Sequence, residues 1–188
     1  MIEANEKPAM VVLSGPIGAG KTTFYESHLR EMFPAVVPGL FDQQKEMLAS
    51  GQSFCTEEAV VNLKLLEEGR KAGYSPKVLF VSTEDATLNV GRVLVRMSQG
   101  GYPVPFAAAA QSYSAAHENL RKIVPLADDF FLFDNTPNAR GHRMVARFAG
   151  GDLIKVAQTI PHWLKNAFGK EIEKFYQQRK APERARSR

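Results

Sequence analysis

A glycine-rich segment near the start of the chain has residue types that are suited to binding phosphate. It spans residues 15–22, reads GPIGAGKT and fits the pattern G-x-x-x-x-G-K-[ST]. The apolar run at residues 10–13 leads into it, and a helix-compatible stretch follows. Glycines allow φ > 0, so that successive N–H groups can form a concave nest for phosphate oxygens at the positive end of the helix. We therefore predict a nucleoside triphosphate site made of Gly15, Pro16, Ile17, Gly18, Ala19, Gly20, Lys21, Thr22 and Thr23.

Two side chains of this segment have chemical roles of their own. The ammonium group of Lys21 can reach the β- and γ-phosphates of a bound nucleotide, which makes Lys21 a catalytic candidate. The hydroxyl of Thr22 can ligate Mg²⁺, the usual companion of a triphosphate. A glycine turn that binds nothing has a similar composition, but the preceding apolar run and the following helix favour the binding site.

A pair of arginines further along the chain is spaced for a helical lid. Arg92, Arg96 and Gln99 stand at i, i+4 and i+7, so they share one face of the helix that precedes Gly100 and Gly101. Arginines on such a lid would neutralise the γ-phosphate during transfer. The alternative is a pair of solvated surface arginines, which is the usual fate of such residues.

A polar pair, Asp134 and Asn135, follows the apolar run at residues 129–133. At the end of a strand this pair can line the pocket for a nucleotide base, or it can form a capping turn. We include Asn135 among the nucleotide-binding candidates.

The composition is that of a single globular domain. The chain has 188 residues, of which 44% are hydrophobic, and this is enough for one core. The net charge of +4 arises from residues 165–188, which contain eight basic and three acidic side chains. We predict one domain over residues 1–178 and a basic, disordered tail over residues 179–188. A solvated tail is favoured over one that binds nucleic acid, because the body of the chain has no basic stripe with interleaved aromatic residues.

The same survey disfavours several classes of protein. No apolar run approaches the roughly 18 residues that a membrane span needs, and residues 1–7 are polar, without the apolar core of a secretory signal. The single cysteine, Cys55, excludes an intrachain disulfide, and its apolar neighbours indicate a small buried hydrophobe. We expect a cytoplasmic protein that uses neither a membrane nor a nucleic acid as partner.

Apolar runs alternate with amphipathic stretches, which predicts an α/β fold with a parallel sheet flanked by helices. The predicted strands cover residues 10–14, 53–56, 78–81 and 129–133. The predicted helices cover residues 21–33, 42–49, 57–72, 84–99 and 106–124. Two further apolar stretches, 144–148 and 153–156, predict a hairpin, and Pro161 suits the first turn of a last helix.

Over about residues 8–157, the order of several short motifs resembles the zeta-toxin-like family of P-loop kinases. The matching pieces include the glycine segment, Gly51-Gln52-Ser53-Phe54 with Glu57, and Ala72-Gly73-Tyr74. They continue with Arg92-Val93, Arg96-Met97, Gly100-Gly101-Tyr102, Val104-Pro105, Tyr113, Asn119-Leu120, Pro125-Leu126-Ala127-Asp128 and Asp134-Asn135.

This resemblance implies a nucleoside-kinase-like P-loop fold and a specific reaction. The family's best-known activity transfers phosphate from ATP or GTP to UDP-N-acetylglucosamine, other members act on other small hydroxyl compounds, and many have an antitoxin protein as partner. It also implies residue roles here: Arg96 matches a phosphate-contacting arginine, and Glu57 matches a substrate-contacting glutamate. We therefore expect Arg92 and Arg96 at the nucleotide and Glu57 at the acceptor.

The chain also departs from the family pattern. Family members carry arginine before the tyrosine matched by Tyr113, whereas this chain has Ala110-Gln111-Ser112. The usual catalytic aspartate after the second strand is also missing, and the nearest carboxylate is Asp42, which either replaces the base or caps its helix. Glu58 stands where the family usually has threonine, and it either alters the choice of acceptor or is a solvated start of a helix.

Three functions remain open from the sequence. The first is a small-molecule kinase of zeta-toxin type. The second is a degenerate nucleotide-binding module that acts through protein association, which the missing arginines and aspartate suggest. The third is an ATPase or a nucleic-acid kinase that uses the basic tail.

Overall fold

The computed structural model describes residues 7–37, 41–136 and 141–185, which form one sheet flanked by helices. The strands are β1 (Ala9–Ser14), β2 (Val36–Val37), β3 (Phe54–Glu58), β4 (Ser75–Ser82), β5 (Asp129–Asp134), β6 (Arg143–Ala149) and β7 (Asp152–Val156). The helices are α1 (Lys21–His28), α2 (Phe41–Ser50), α3 (Leu63–Lys71), α4 (Ala86–Ser98), α5 (Phe106–Glu118), α6 (Leu120–Ile123) and α7 (His162–Ala185).

In this part of the chain the sheet has the order β2-β3-β1-β4-β5-β6-β7. The first five strands in that order are parallel, and β6 and β7 add an antiparallel hairpin at the edge. The central strand β1 therefore has β3 on one side and β4 on the other. The carboxyl ends of these three strands meet at one edge of the sheet, where ligands of open α/β folds bind. The predicted parallel sheet and C-terminal hairpin are confirmed.

Apolar side chains fill both faces of the sheet, as a doubly covered parallel sheet requires. Side chains alternate between faces along β1, so Met10 and Val12 join the larger cluster, whereas Val11 and Leu13 join the smaller one. Cys55 lies in the smaller cluster, and burial raises the pKa of its thiol to about 12, in keeping with a small hydrophobe. Among the described residues, no helix is long and apolar enough to cross a membrane.

Two helix boundaries differ from the prediction near the start of the chain. The first helix ends at His28 rather than at residue 33, because a turn follows in which the Tyr25 hydroxyl donates to the Phe33 carbonyl. Met32, which a helix continued to residue 33 would place on the core-facing side, is 66% exposed after this turn. The helix predicted from residue 42 begins one residue earlier, so Asp42 is its second residue rather than its cap, and the Asp42 side chain lies outside the described residues.

For the helix predicted over residues 57–72, the predicted first residue was wrong. Glu57 and Glu58 are the last residues of β3, and α3 begins at Leu63 after Asn62, whose side chain caps it. Glu58 is therefore a half-buried strand residue and not a solvated helix start. The predicted helix over residues 106–124 is divided into α5 and α6 at Asn119. The last helix continues through residues 179–185 of the predicted tail, and residues 186–188 lie outside the described part.

Candidate nucleotide and phosphoryl-transfer site

The glycine loop, residues 15–22, connects the end of β1 to the first turn of α1. Gly15, Gly18 and Gly20 have φ of +141°, +84° and +97°, values that residues with a Cβ rarely adopt. Gly20 directly precedes α1, so the loop presents its backbone N–H groups at the positive end of that helix. The sequence pattern therefore has the local geometry expected of a phosphate nest.

These glycines are also needed because other parts of the protein pack closely against the loop. A Cβ on Gly15 would lie 1.9 Å from the carbonyl oxygen of Val81, and one on Gly18 would lie 2.4 Å from that of Asn89. Both distances are far below van der Waals contact, and both neighbours are backbone atoms that cannot turn aside. The glycines thus allow β4 and α4 to approach the loop, whereas the sequence argument considered only the approach of a ligand.

Polar side chains hold the loop through its carbonyl groups. The Ala19 carbonyl accepts from Asn135 Nδ2 at 2.8 Å and from Arg92 Nη1 at 3.5 Å. The Gly20 carbonyl lies 3.1 Å from His142 Nε2, which donates when that nitrogen carries the proton. Because carbonyl and N–H of a planar peptide point in opposite directions, these contacts turn the next N–H groups away from the protein. No sequence motif predicts this role of His142, because only the fold brings it close to the loop.

One backbone donor of the loop is bound by the segment in which the family arginines are missing. Ser112 is buried, and its Oγ accepts from the Ile17 N–H at 3.0 Å while donating to the Ala109 carbonyl at 2.7 Å. Ala110 and Gln111 are exposed. This segment therefore supports the loop with a neutral hydroxyl and supplies no cation. Sequence reasoning noticed the missing arginines but missed the role of Ser112, which follows from a contact 95 residues away.

Lys21 is folded back onto its own loop. Its Nζ donates to the carbonyls of Gly15 at 2.8 Å and Pro16 at 3.3 Å, and it lies 3.8 Å from Glu57 Oε1. The side chain is only 8% exposed. Burial lowers the pKa of the Lys21 ammonium, with Glu57 acting in the opposite direction and Arg96 lowering it further. A phosphate would compensate this partly desolvated charge.

The loop forms one end of a cavity of about 420 Å³. The lining comes from the loop with the first turn of α1, from the end of β3 and from one face of α4. The lining residues are Ile17, Gly18, Gly20, Lys21, Thr22, Thr23, Glu57, Glu58, Ala59, Arg92, Val93 and Arg96. The structure thus brings together the predicted lysine, both arginines and Glu57.

The two arginines of α4 differ in their surroundings. Arg92 is half-buried, and its Nη2 donates to the Asn135 carbonyl at 2.8 Å in addition to the contact with Ala19. Burial lowers the pKa of the Arg92 guanidinium, and nearby Asp134 opposes this. Arg96 is exposed and lines the cavity close enough to Lys21 to affect its pKa. Arg96 is therefore placed for a ligand, whereas Arg92 already stabilises the loop.

The carboxylates at the end of β3 are held differently from each other. The Glu57 side chain is 35% exposed and approaches Lys21. Glu58 accepts from Gln44 Nε2 at 2.7 Å and from the Asn62 N–H at 2.7 Å. Burial raises the pKa of Glu58, while these two hydrogen bonds lower it. Gln44, which sequence reasoning missed, is 1% exposed and also donates to Thr56 Oγ1 at 3.1 Å.

Asn135 lies beneath the loop rather than beside the cavity. Its side chain is bound to Ala19, and a Cβ on Gly20 would lie 2.3 Å from its Nδ2. Among the described residues, the cavity lining does not include Asn135. Asp134 is buried and accepts from the Thr136 hydroxyl at 2.7 Å. Within the described part of the chain, this pair therefore joins the end of β5 to the loop.

Thr22 fits the role predicted for a magnesium ligand. It lies in the first turn of α1, is exposed and lines the cavity. Within the described ranges, no group of three or more His, Cys, Asp or Glu residues is arranged to hold a metal. Mg²⁺ at kinase sites needs few protein ligands, because waters and the substrate phosphates supply the others. The donor set present here suits an ion that arrives with its nucleotide.

A second, more apolar groove adjoins the cavity along α4. Its volume is about 620 Å³, and Arg92 and Arg96 line both spaces. Leu88, Gly91 and Val95 supply much of the apolar surface. Both arginines of α4 therefore border two neighbouring spaces.

Neither a protein-family model nor a curated protein matches this chain. Solved structures do match its fold. The native AvrRxo1-ORF1:AvrRxo1-ORF2 complex gives a TM-score of 0.58 at 15% identity, over 81% of this chain and 62% of that chain. The same complex with ATP gives 0.61 at 16% identity, over 80% of this chain and 60% of that one. The PezAT chromosomal toxin-antitoxin system of Streptococcus pneumoniae gives 0.61 at 15% identity, over 88% and 80%.

These similarities define the chain as a protein with the P-loop kinase fold. The resemblance to zeta-toxin-like P-loop kinases is thereby confirmed at the level of the fold. The chain spans less than two thirds of the AvrRxo1 chains that it matches.

Proposed function

We propose that the protein is a zeta-toxin-type phosphotransferase that moves the γ-phosphoryl group of ATP or GTP to a hydroxyl of a small acceptor. The observation that carries this proposal is the cavity in which the glycine loop, Lys21, Arg96 and Glu57 meet. Phosphoryl transfer needs a phosphate cradle, cations for the moving group and a residue that orients the attacking hydroxyl. This cavity offers each of the three.

The residues would share the work as follows. Backbone N–H groups of the loop bind the phosphates, and Thr22 and Thr23 lie at the start of α1, where Thr22 would hold Mg²⁺. Lys21 leaves the loop carbonyls for the β- and γ-phosphates, and Arg96 neutralises the transferred group. Glu57 orients the acceptor hydroxyl and takes its proton. Arg92 and Asn135 keep the loop in the shape that binds nucleotide.

The base of the nucleotide would lie in the apolar groove along α4, beyond Arg92 and Arg96. In support, these two side chains line both the groove and the phosphate cavity. The ATP-containing AvrRxo1 complex agrees in fold with this chain. The family resemblance implies UDP-N-acetylglucosamine or a similar nucleotide sugar as the acceptor, so such a compound is assayed beside sugars without phosphate. An antitoxin protein as partner is proposed on the same ground. In support, one similar structure is the AvrRxo1-ORF1:AvrRxo1-ORF2 complex, and another belongs to the PezAT toxin-antitoxin system.

A second candidate is a nucleotide-binding module without transfer activity. Ser112 occupies the segment in which a further arginine would lie, and it supplies no charge. One experiment distinguishes the two functions. Calorimetry measures the binding of MgATP and MgGTP, and a second assay measures transfer of labelled γ-phosphate to a panel of sugars, nucleosides and nucleotide sugars. Binding with acceptor-dependent transfer supports the kinase. Binding without transfer supports the module, and absence of binding contradicts both.

A further inference from the structure

The cavity at the glycine loop has opposite charges on its two sides. The sheet order places β3 and β4 on opposite sides of β1, which leads into the loop. The arginines lie on α4, which follows β4, whereas Glu57 and Glu58 end β3. Lys21 lies between the two sides, 3.8 Å from Glu57. A ligand that crosses the cavity therefore passes from a cationic wall to an anionic one.

The positive charges of the cationic wall suit the nucleotide, and few of them remain to bind an acceptor. Arg92 already donates to two backbone carbonyls, and Lys21 donates to the carbonyls of the loop itself. A triphosphate on the loop would draw in Lys21 and Arg96. The carboxylate of Glu57 would then lose the cation that now lies beside it.

The anionic wall is built into the fold. The carboxylate of Glu58 is fixed by the amide of Gln44 from α2 and by the N–H of Asn62 before α3. Burial raises the pKa of the Glu58 carboxyl, and both donors act against this by stabilising the ionised form. Gln44 is itself buried and bound to Thr56, so the carboxylate cannot turn out of the way cheaply. An acceptor that reaches Glu57 must lie against this fixed charge.

From this charge separation we infer that the acceptor is an uncharged or cationic hydroxyl compound, such as a sugar or an amino sugar, in place of the nucleotide sugar that the family resemblance implies, and that Glu58 selects against anionic acceptors. This inference rests on the proposed phosphotransferase function. A phosphate group about 5 Å from a carboxylate is repelled by enough to weaken binding by about a hundredfold or more at the dielectric of a protein surface, and screening by salt reduces this effect. An ammonium or hydroxyl group instead donates to the remaining lone pairs of the carboxylates.

The proposed transfer needs only the nucleotide, the acceptor hydroxyl, Glu57 and water. The acceptor oxygen attacks the γ-phosphorus and forms a phosphate ester, while the bond from that phosphorus to the β–γ bridging oxygen breaks. The nucleoside diphosphate leaves with the electron pair of that bond. The hydroxyl proton passes to Glu57 and from there to water.

The first test compares acceptors that share one sugar and differ in charge. Glucosamine, N-acetylglucosamine, N-acetylglucosamine 1-phosphate and UDP-N-acetylglucosamine are assayed with MgATP, and kcat and KM are measured separately. We expect the two acceptors without phosphate to have kcat/KM at least tenfold higher than the two anionic ones, with most of the difference in KM. Equal or higher values for the anionic pair would overturn the inference.

The second test removes the charge of Glu58 while keeping its shape. In Glu58→Gln, the preference for acceptors without phosphate should fall about tenfold. Glu67→Gln, an exposed residue of α3, is the matched control and should leave the preference unchanged. An unchanged preference in a folded Glu58→Gln protein would contradict the assigned role.

Binding separates this inference from the proposed function. Calorimetry of the same four compounds with the wild-type protein, loaded with Mg²⁺ and a non-hydrolysable ATP analogue, reports acceptor preference without transfer. If the nucleotide analogue binds and acceptors without phosphate bind more tightly, yet none is phosphorylated in the first test, the kinase proposal fails and the charge selection stands. If anionic acceptors bind equally or better, or if none of the four binds, the inference fails.

Discussion

The glycine loop and the acceptor side of the same cavity are held in place by different means. The loop is fixed by contacts from four distant residues, Arg92, Ser112, Asn135 and His142, and its glycines meet backbone atoms of β4 and α4. On the β3 side, the Glu58 carboxylate is fixed by two donors, the buried amide of Gln44 and the N–H of Asn62. A phosphate nest must have one shape for every nucleotide, whereas an acceptor wall needs only to suit one compound. We therefore expect the loop to tolerate change poorly and the acceptor side to be where specificity can vary.

The largest effect is expected from Lys21→Ala. The change removes the charge nearest the γ-phosphate and should lower the single-turnover rate of transfer from labelled ATP by about a thousandfold or more. Lys170→Ala, an exposed change on α7, should leave the rate as in the wild type. Full activity of Lys21→Ala would show that the loop is not the phosphate site. The close packing of the loop would then need an explanation other than phosphate binding.

Next in size is the effect of a methyl group on the loop. Gly15→Ala places a Cβ 1.9 Å from a backbone oxygen of β4, so the free energy of unfolding should fall by about 3 kcal/mol or more. Gly51 also has a positive φ, +68°, but nothing lies within 4 Å of an added Cβ, so Gly51→Ala should cost only backbone strain of about 1 kcal/mol. Urea denaturation measures both. Equal losses would mean that conformation, and not close packing, explains the loop glycines.

These two regions also show what the sequence could predict. The loop was found because its function requires a fixed order of residue types, and the central strands were found because they are continuous apolar runs. The end of β3 was not found, because Glu57 and Glu58 are polar residues that resemble the first turn of a helix. Their strand conformation depends on pairing with β1. Gln44, Ser112 and His142 act through contacts with partners 12 to 122 residues away, which no local pattern records.

The arginines of α4 allow stability and activity to be separated within one helix, because Arg92 stabilises the loop and Arg96 is proposed to contact the ligand. Arg96→Ala should lower the transfer rate about a hundredfold while leaving the melting temperature within about 1 °C, since the side chain is exposed. Arg92→Ala should lower the free energy of unfolding by about 1 to 2 kcal/mol, because the Asn135 carbonyl loses its charged donor. Thermal unfolding and single-turnover kinetics on both variants separate the two roles. If Arg96→Ala instead lost stability and Arg92→Ala lost only activity, the two roles would be exchanged.

The smallest effect tests whether the loop keeps its shape through contacts from outside. Ser112→Ala leaves the Ile17 N–H without its hydroxyl acceptor, so the free energy of unfolding should fall by about 1 to 2 kcal/mol. Ser114→Ala, at an exposed position of the same helix, should change it by less than about 0.5 kcal/mol. The affinity for MgATP should weaken less than about tenfold, because the freed N–H can still turn toward a phosphate. A loss of nucleotide binding without a loss of stability would mean that Ser112 contacts the nucleotide itself, so that α5 belongs to the ligand site and not only to its support.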